Sequence, residues 1–304
     1  MNLREEFVLR VLVTGSSGFI GNELANALLD QGHEVTGLDL ETPQQSNYKT
    51  ISGDLSNYDD VDKAVRGKEI VYHLGASANL NICREKPLET VRINVLGTAN
   101  IAKACQEYGA KLIYASSCHV YGRQNHFPVT EDSTPNPSEI YSATKLAGER
   151  VIQNFPGGVR HAILRYGTAY GPHMRPQLAI YIFLEKAMKN ERITVYNPGT
   201  QTRQFTYIDD LIEGNILALE RPEAEGQIIN LPGQEGISIL RLAKVCSEVA
   251  GSKSEVVLGP PRPADITLEF LSSEKARFLL GWTPKTTLKE GLEKTLKWIK
   301  ESSR

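Results

Sequence analysis

The sequence predicts an α/β fold in which a doubly wound parallel sheet carries helices on both faces. Three observations support this prediction. Short apolar runs rich in β-branched residues alternate with amphipathic stretches through the first half of the chain. A glycine-rich loop joins the first of these runs to the first amphipathic stretch. An acidic residue ends the second run at a spacing typical of dinucleotide-binding sheets.

The first half of the chain contains the predicted strands of this sheet, at 8–13, 34–39, 69–74, 111–115 and 160–165. Helical spacing of apolar residues between them predicts helices that begin near Ile20, near Val61 and near Tyr141, and a long helix over 88–108. In the long helix, the residues predicted on the apolar side are Val91, Val95, Ile101 and Cys105. Strands and helices in this order require right-handed crossovers between parallel strands.

The pattern loosens after residue 166, where proline and glycine cluster at several points. Helices are predicted near 178–190, 207–220, 238–250, 272–280 and 287–302. We therefore predict a dinucleotide-binding domain over 1–166 and a smaller C-terminal α/β domain over 167–304 that binds the substrate. Residues 204–231 are predicted to return a strand and a helix to the main sheet, so the boundary is not sharp.

Composition excludes several classes of function. The formal net charge of −2 and a pI near 6.3 predict binding neither to nucleic acid nor to a membrane surface. No apolar run is long enough to span a bilayer, and the charged N-terminus is unlike a signal peptide. The four widely spaced cysteines form neither a metal-binding nor a disulfide pattern. We therefore expect a cytoplasmic protein without a metal.

The loop Thr14–Gly21 contains three glycines at a strand-to-helix junction. Gly15 permits a tight turn, Gly18 allows a pyrophosphate to approach the backbone, and Gly21 allows the helix to pack on the strand. The helix N-terminus offers free amides and positive potential to phosphate. Together with the surrounding alternation, the loop predicts a Rossmann-type dinucleotide site.

Two acidic residues follow at informative places. Asp39 ends the second predicted strand, 21 residues after Gly18. A carboxylate there accepts hydrogen bonds from the adenosine ribose and repels a 2′-phosphate, which favours NAD over NADP. Asp54 follows a third short apolar run, and spacing alone leaves open whether its carboxylate accepts a hydrogen bond from the adenine amine.

Tyr141 and Lys145 are the predicted acid–base pair. Residues four apart lie on one face of a helix, so the phenol and the ammonium converge. We expect the ammonium to lower the pKa of the phenol, which makes the pair a general acid and base near neutral pH. Ser117 lies upstream, at the carboxyl end of a predicted strand, where its hydroxyl can hold the reacting oxygen beside Tyr141.

On these residues the chain resembles the extended short-chain dehydrogenases/reductases, in particular their NAD-dependent nucleotide-sugar epimerase/dehydratase family. The resemblance runs from end to end and follows the family's order. The matching segments are 14–21, Asp39, 53–55, 73–76, 94–98, 116–122, 141–145, 164–166, 170–172, 201–210, 262–265 and 280–282.

The resemblance implies that Ser117, Tyr141 and Lys145 are catalytic, and that Lys145 also holds the nicotinamide ribose. The residues it assigns to the NAD site are Gly15, Ser17, Gly18, Phe19, Ile20, Gly21, Asp39, Leu40, Asp54, Leu55, Leu74, Gly75, Ala76, Asn94, Ala115, Ser116, Tyr141, Lys145 and Tyr166. Arg203 and Arg262 are implied to grip the nucleotide diphosphate, and Thr194 and Tyr196 to lie near the base. The remaining residues assigned to the substrate are Ser117, Cys118, His119, Thr168, Arg175 and Asp265.

Departures from the family's patterns narrow the expected reaction. Sugar 4,6-dehydratases carry Asp-Glu immediately after the catalytic hydroxyl, where this chain has Cys118 and His119. Without those acids, dehydration is disfavoured, and decarboxylation is disfavoured because a glutamate is usual at the His119 place. Cys118 is either a second proton carrier or a small buried filler, and His119 either a ligand contact or a pocket histidine.

Thr168, followed by Arg175, resembles the uronate 4-epimerases, in which the threonine hydroxyl helps to hold the sugar carboxylate. The Asp-Met that those enzymes place after Arg-Pro is replaced here by Gln177-Leu178. The sequence therefore leaves open which sugar is bound.

The expected function is an NAD-dependent nucleotide-sugar 4-epimerase, of either the UDP-glucose/UDP-galactose or the UDP-glucuronate type. A net nucleotide-sugar dehydrogenase or 4-keto reductase is the alternative, and a non-catalytic NAD-sensing protein is disfavoured because the catalytic residues are complete. The resemblance also implies a homodimer built from the helices over 88–108 and 141–154, with Ile101, Cys105 and Ala147 as members of the interface.

Overall fold

The computed structural model describes residues 8–42, 46–261 and 270–302. Its strands are β1 (Arg10–Thr14), β2 (Glu34–Asp39), β3 (Lys49–Ser52), β4 (Ile70–His73), β5 (Lys111–Ser117), β6 (His161–Tyr166), β7 (Thr168–Tyr170), β8 (Ile193–Asn197), β9 (Thr202–Tyr207), β10 (Ile228–Leu231), β11 (Gly236–Ser238) and β12 (Val256–Pro261). Its α-helices are α1 (Phe19–Asp30), α2 (Tyr58–Val65), α3 (Leu80–Glu85), α4 (Pro87–Val91), α5 (Gly97–Tyr108), α6 (Ile140–Gln153), α7 (Ala179–Met188), α8 (Ile208–Glu220), α9 (Ile239–Ala250), α10 (Glu274–Leu280) and α11 (Leu288–Ser302).

The main sheet has seven parallel strands in the order β10-β6-β5-β4-β1-β2-β3. Its central strands are buried on both faces, as the continuous apolar run Val11-Leu12-Val13 requires. One apolar cluster fills each side of the sheet. The predicted α/β fold with a doubly wound parallel sheet is confirmed. Strand order reverses between β1 and β4, and the crevice at their carboxyl ends is where such sheets bind ligands.

The second half of the chain folds around two small sheets, β11-β9-β7 and β12-β8. The sequence did not indicate these strands, because they are short and only partly buried and so lack a clear alternation. The strand predicted near 227–231 is present as β10, which pairs with β6, and α8 packs against the same sheet. The division into domains at residue 166 stays a prediction.

The long helix predicted over 88–108 is interrupted. A π-helical segment, Arg92–Leu96, separates α4 from α5 and adds one residue to the turn. The apolar face predicted from a regular period is therefore wrong at its start, where Val91 is 40% exposed.

Ile101 and Cys105 were expected at a dimer interface, and this prediction is wrong. Their side chains are buried inside the protomer, in the apolar cluster between α5 and α2. Two apolar side chains that this region leaves exposed are Leu88, at 85%, and Leu96, at 48%. Ala147 on α6 is partly buried.

Within the described ranges, none of the helices is both long enough and apolar enough to cross a membrane.

Candidate active site

The glycine loop follows β1 and leads into α1. Gly15 has a φ of +70°, and a Cβ there would lie 2.7 Å from the backbone nitrogen of Gly75. A Cβ on Gly21 would lie 2.0 Å from the carbonyl oxygen of Gly15. Gly18, which precedes the first turn of α1, has no side chain with which to cap that helix. The loop is thus a cradle formed by backbone alone, of the kind that accepts a pyrophosphate at a helix N-terminus.

Asp39 lies at the end of β2, beside this loop. Its carboxylate accepts hydrogen bonds from the backbone amides of Ser17, at 2.9 Å, and Leu40, at 2.8 Å. The Ser17 hydroxyl donates to the carbonyl oxygen of Glu41 at 2.5 Å. The carboxylate is therefore fixed at the rim of the loop and keeps lone pairs that a pair of ribose hydroxyls can use.

A cavity of about 520 Å³, called the first cavity below, runs from this loop along the carboxyl edge of the sheet. It is lined by every residue that the sequence assigned to NAD except Asn94. Lining residues that the sequence did not assign to NAD are Leu38, Glu41, Gly53, Ser77, Ala78, Ile93 and Arg175, of which Arg175 was assigned to the substrate. Most of these residues adjoin a predicted residue in the sequence, so they could have been inferred from their closeness to a motif.

Asn94 is 2% exposed and does not line the first cavity. Its amide oxygen accepts from the backbone nitrogen of Ser77 at 2.8 Å, and its amide nitrogen donates to the Ser77 carbonyl at 3.0 Å and the Thr144 hydroxyl at 2.9 Å. Asn94 ties the loop after β4 to α6, which holds the wall of the cavity. Its assignment to the cofactor stays a prediction.

Asp54 lines the first cavity, but the protein already uses both of its carboxylate oxygens. One accepts from the amide and hydroxyl of Ser56, each at 2.8 Å, and the other pairs with Arg92 at 2.9 Å. Burial alone would raise the pKa of Asp54, but the hydrogen bonds from Ser56 and the Arg92 guanidinium hold it below its ordinary value. Its contact with an adenine amine stays a prediction.

Tyr141, Lys145 and Ser117 meet at the carboxyl end of β5. Glu139 begins α6 with a capping box, in which its side chain accepts from the Ser142 amide and the Ser142 hydroxyl accepts from the Glu139 amide. This places Tyr141 in the first turn of α6, near Ser117, whose side chain acts to lower the pKa of the phenol. The Lys145 ammonium donates to the carbonyl oxygen of Ala115 at 2.7 Å.

The pKa of Tyr141 differs from the expectation. Burial raises it to about 12, while the hydrogen bond with Ser117 and the charge of Arg175 act to lower it. Burial also lowers the pKa of Lys145 to about 8. The prediction that the Lys145 ammonium brings the phenol below its ordinary pKa is therefore wrong for this structure. Desolvation of the phenol outweighs the charges around it.

A second cavity of about 900 Å³ adjoins the first, and most of the residues that line it come from the second half of the chain. The sequence-predicted substrate residues that line it are His119, Thr168, Arg175, Thr194, Tyr196 and Arg203. Arg175 lines both cavities, and the His119 ring meets the Tyr141 ring edge-on at 6.2 Å. The acid–base pair therefore lies where the two cavities join.

Other predicted substrate residues lie elsewhere. Ser117 contacts Tyr141 but lines neither cavity, and Cys118 is 3% exposed within a small apolar cluster. This packing favours the filler role for Cys118. Arg262 and Asp265 fall outside the described residues.

The second cavity is also lined by an ion pair that the sequence did not indicate. Arg84 on α3 pairs with Glu139 at the start of α6, and both line the cavity. Glu139 could have been singled out from the sequence, because it precedes Tyr141 by two residues. Arg84 could not, because its partner Glu139 is 55 residues away along the chain.

The known proteins that this chain matches include nucleotide-sugar epimerases. A family model described as the NAD dependent epimerase/dehydratase family matches residues 11–231. A putative UDP-glucose 4-epimerase of Methanocaldococcus jannaschii is 33% identical over 97% of this chain and 99% of its own length.

Two solved structures are similar over nearly their whole length. The UDP-glucose 4-epimerase of Thermotoga maritima with UDP-glucose has a TM-score of 0.92 and 28% identity, covering 97% of this chain and 100% of its own. The UDP-glucuronic acid 4-epimerase of Bacillus cereus, in complex with UDP-glucuronic acid and NAD, has a TM-score of 0.89 and 32% identity with the same coverage.

Proposed function

Because the chain belongs to the NAD-dependent epimerase/dehydratase family, we propose that it is a UDP-sugar 4-epimerase that works through a transient 4-keto sugar. One observation carries the proposal: Tyr141, with Ser117 and the His119 ring beside it, lies where the first cavity joins the second. A sugar in the second cavity then presents its 4-hydroxyl to an acid–base residue beside the cofactor.

The first cavity suits NAD, since its backbone-only glycine cradle suits a pyrophosphate and the Asp39 carboxylate at the rim suits ribose hydroxyls. Bound NAD supplies acceptance and return of a hydride at carbon 4 of the sugar. Tyr141 removes the proton of the 4-hydroxyl and later returns it, while Ser117 holds the oxygen. The keto sugar turns within the second cavity between the two proton transfers, which inverts the configuration at carbon 4.

Two residues argue against loss of water from the sugar. Dehydration needs an acid to deliver a proton to the leaving hydroxyl, and the places after Ser117 hold Cys118 and His119. Cys118 is buried among apolar side chains and lines neither cavity. Epimerisation needs only the proton carried by Tyr141, which favours it.

The charge of the second cavity favours a uronate sugar. Arg175 and Thr168 both line it, and a guanidinium and a hydroxyl in the same cavity suit a carboxylate. We therefore propose UDP-glucuronate as the preferred substrate, with UDP-glucose and UDP-galactose as the other candidates.

The test is incubation of the purified protein with each of these three UDP-sugars, followed by separation of the products. Interconversion of 4-epimers without net change in NADH absorbance is the expected result. Net formation or consumption of NADH would indicate the dehydrogenase or 4-keto reductase instead. No product from any of the three would overturn the proposal and favour an NAD-sensing role.

Replacing Asp39 by alanine is expected to weaken NADH binding by about tenfold or more, because a charged acceptor at the ribose is lost. NADPH binding should weaken less or improve, because the repulsion of its 2′-phosphate is removed. Fluorescence titration with both reduced cofactors measures the two dissociation constants.

The matched control is Glu41→Ala. It removes one carboxylate from the same rim, while the Glu41 carbonyl can still accept from Ser17. An equal loss of selectivity in both variants would show that general charge, and not the Asp39 contact, selects NAD.

We propose that the protein is a homodimer and that the exposed apolar side chains of 88–96 form its interface. Leu88→Glu is expected to convert the dimer to a monomer, which halves the mass measured by light scattering after size exclusion. Phe278→Glu on α10 is the control, since Phe278 is 86% exposed and Leu88 is 85% exposed. A monomeric wild type, or dissociation by both substitutions, contradicts this interface.

We also propose a cytoplasmic location. The cysteines Cys83, Cys105, Cys118 and Cys246 are all buried free thiols, a state that a reducing compartment maintains.

A further inference from the structure

A buried group of charges lies behind the first cavity. The carboxylate of Glu149 on α6 is 0% exposed, and the guanidinium of Arg165 on β6 is 1% exposed. Arg165 donates two hydrogen bonds to this carboxylate, at 2.9 and 2.7 Å, and the hydroxyl of Ser116 donates a third. The carboxylate is thus both fully removed from water and fixed in direction.

Stability is a weak explanation for this pair. Removing two charges from water costs more than their attraction commonly returns, and apolar replacements of similar volume are often as stable. The same bidentate pairing occurs at the surface between Arg160 and Glu225, at 3.2 and 3.0 Å, where desolvation is small. The position of the buried pair therefore calls for another explanation.

Glu149 lies one helical turn after Lys145, on the same face of α6. Lys145 is 3% exposed, and its ammonium contacts neutral partners at short range, the Ala115 carbonyl at 2.7 Å and the Tyr114 ring at 4.8 Å. Burial lowers the pKa of Lys145, and the Glu149 carboxylate acts in the opposite direction.

The other described groups around Lys145 do not supply a negative charge that could pair with its ammonium. His73 on β4 is held between the hydroxyls of Thr14 and Thr98, and burial, together with the charge of Lys145, lowers its pKa to about 3. Burial raises the pKa of Tyr114 on β5, which keeps it neutral. Arg175 faces Tyr141 and adds a positive charge.

When Tyr141 is ionised, four groups along this side of the site alternate in sign: the Tyr141 phenolate, the Lys145 ammonium, the Glu149 carboxylate and the Arg165 guanidinium. With Tyr141 as the neutral phenol, the group carries one net positive charge. Ionisation of Tyr141 makes it neutral. Without Glu149, the buried Lys145 ammonium and the buried Arg165 guanidinium would both lack this carboxylate, which favours loss of the Lys145 proton.

We propose that Glu149, fixed by Arg165 and Ser116, is a positioning residue that keeps Lys145 protonated in the buried site. The inference rests on the proposed function, because a protonated Lys145 matters through its effect on Tyr141. Glu149 itself lines neither cavity.

The experiment compares Glu149→Gln with wild type in the protein loaded with NAD. Glutamine keeps the shape and an acceptor oxygen for Arg165 and Ser116, but it removes the charge. Protein labelled with 13C at the lysine ε-carbon reports the titration of Lys145, whose resonance is identified by its loss in Lys145→Arg. The titration midpoint is expected to fall by about one pH unit or more, a tenfold change in the ionisation constant.

The pH profile of epimerase turnover is expected to follow. Loss of the Lys145 proton should reduce kcat at a lower pH in Glu149→Gln, so the alkaline limb of the profile moves toward acid. Glu225→Gln is the matched control, since it removes the carboxylate of the exposed pair, and it should leave both the midpoint and the profile unchanged. A kcat that falls by one factor at every pH, with an unchanged midpoint, overturns the proposal.

If Glu149→Gln does not fold, the double variant Glu149→Gln, Arg165→Met replaces both charges together. The Lys145 midpoint should again fall, though by less, and an unchanged midpoint in this variant also overturns the proposal. Should the wild type convert none of the UDP-sugars, the proposed function fails, while the lysine titration still decides the role of Glu149.

Discussion

Replacing Tyr141 by phenylalanine is expected to lower kcat for UDP-sugar epimerisation by about a thousandfold, with little change in the content of bound NAD. The reason is that phenylalanine cannot exchange a proton with the 4-hydroxyl, and acid–base groups typically contribute about 10²–10⁴-fold. Product formation measured by chromatography gives kcat, and absorbance after denaturation gives the NAD content.

The control for this substitution is Tyr108→Phe. Tyr108 also donates its hydroxyl in hydrogen bonding, to Asp62 at 2.5 Å, but it lies at the surface on α5. Its replacement should leave kcat unchanged. A Tyr141→Phe enzyme that retains a tenth or more of wild-type turnover would exclude Tyr141 as the proton carrier and direct attention to His119, whose ring is its neighbour.

Replacing Gly21 by alanine is expected to abolish NAD binding and to lower the free energy of unfolding by about 3 kcal/mol, the upper range for overpacking. The new Cβ would lie 2.0 Å from the Gly15 carbonyl oxygen, which is backbone. Gly15 has little room to retreat, since its own backbone lies close to Gly75. Urea unfolding and NADH titration measure the two effects.

Gly32→Ala is the matched control, because Gly32 follows the other end of α1. It has a φ of +86°, and a Cβ added there would meet no heavy atom of the described residues within 4 Å. Only backbone strain of about 1–2 kcal/mol is therefore expected. NAD binding should persist. Equal losses of NAD affinity in the two variants would mean that the close approach at Gly21 is not what shapes the phosphate cradle.

The sequence predicted the parts of the fold whose pattern is local. β2 begins and ends where its apolar run predicts, and α6 begins within one residue of Tyr141. The strands of the two small sheets were missed, because they are short and only partly buried and therefore show no clear alternation. The π-helical segment was missed for a related reason: a single added residue leaves no mark on composition but rotates the helix face at Val91.

In the candidate site, too, the sequence predicted only what a local pattern determines. The glycine loop and Asp39 were predictable because strand and helix order fixes where they lie. Asn94 was assigned to the cofactor from its motif, and the structure adds that its amide bonds Ser77 and Thr144, which the motif did not indicate. The pKa of Tyr141 depends on burial, which sequence spacing does not report. Proximity along the chain therefore indicates which residues gather, and their solvation decides how they ionise.

The return of β10 to the edge of β6 has a consequence for biosynthesis. A nascent chain that has reached only Tyr166 has made six of the seven strands, and the outer edge of β6 still lacks its neighbour. Tyr72 and Tyr166 likewise lack Asn215, to which both donate hydrogen bonds. The ribosome must therefore deliver Ile228–Leu231 before the sheet can close, so the nucleotide-binding half matures only after much of the other half has been translated.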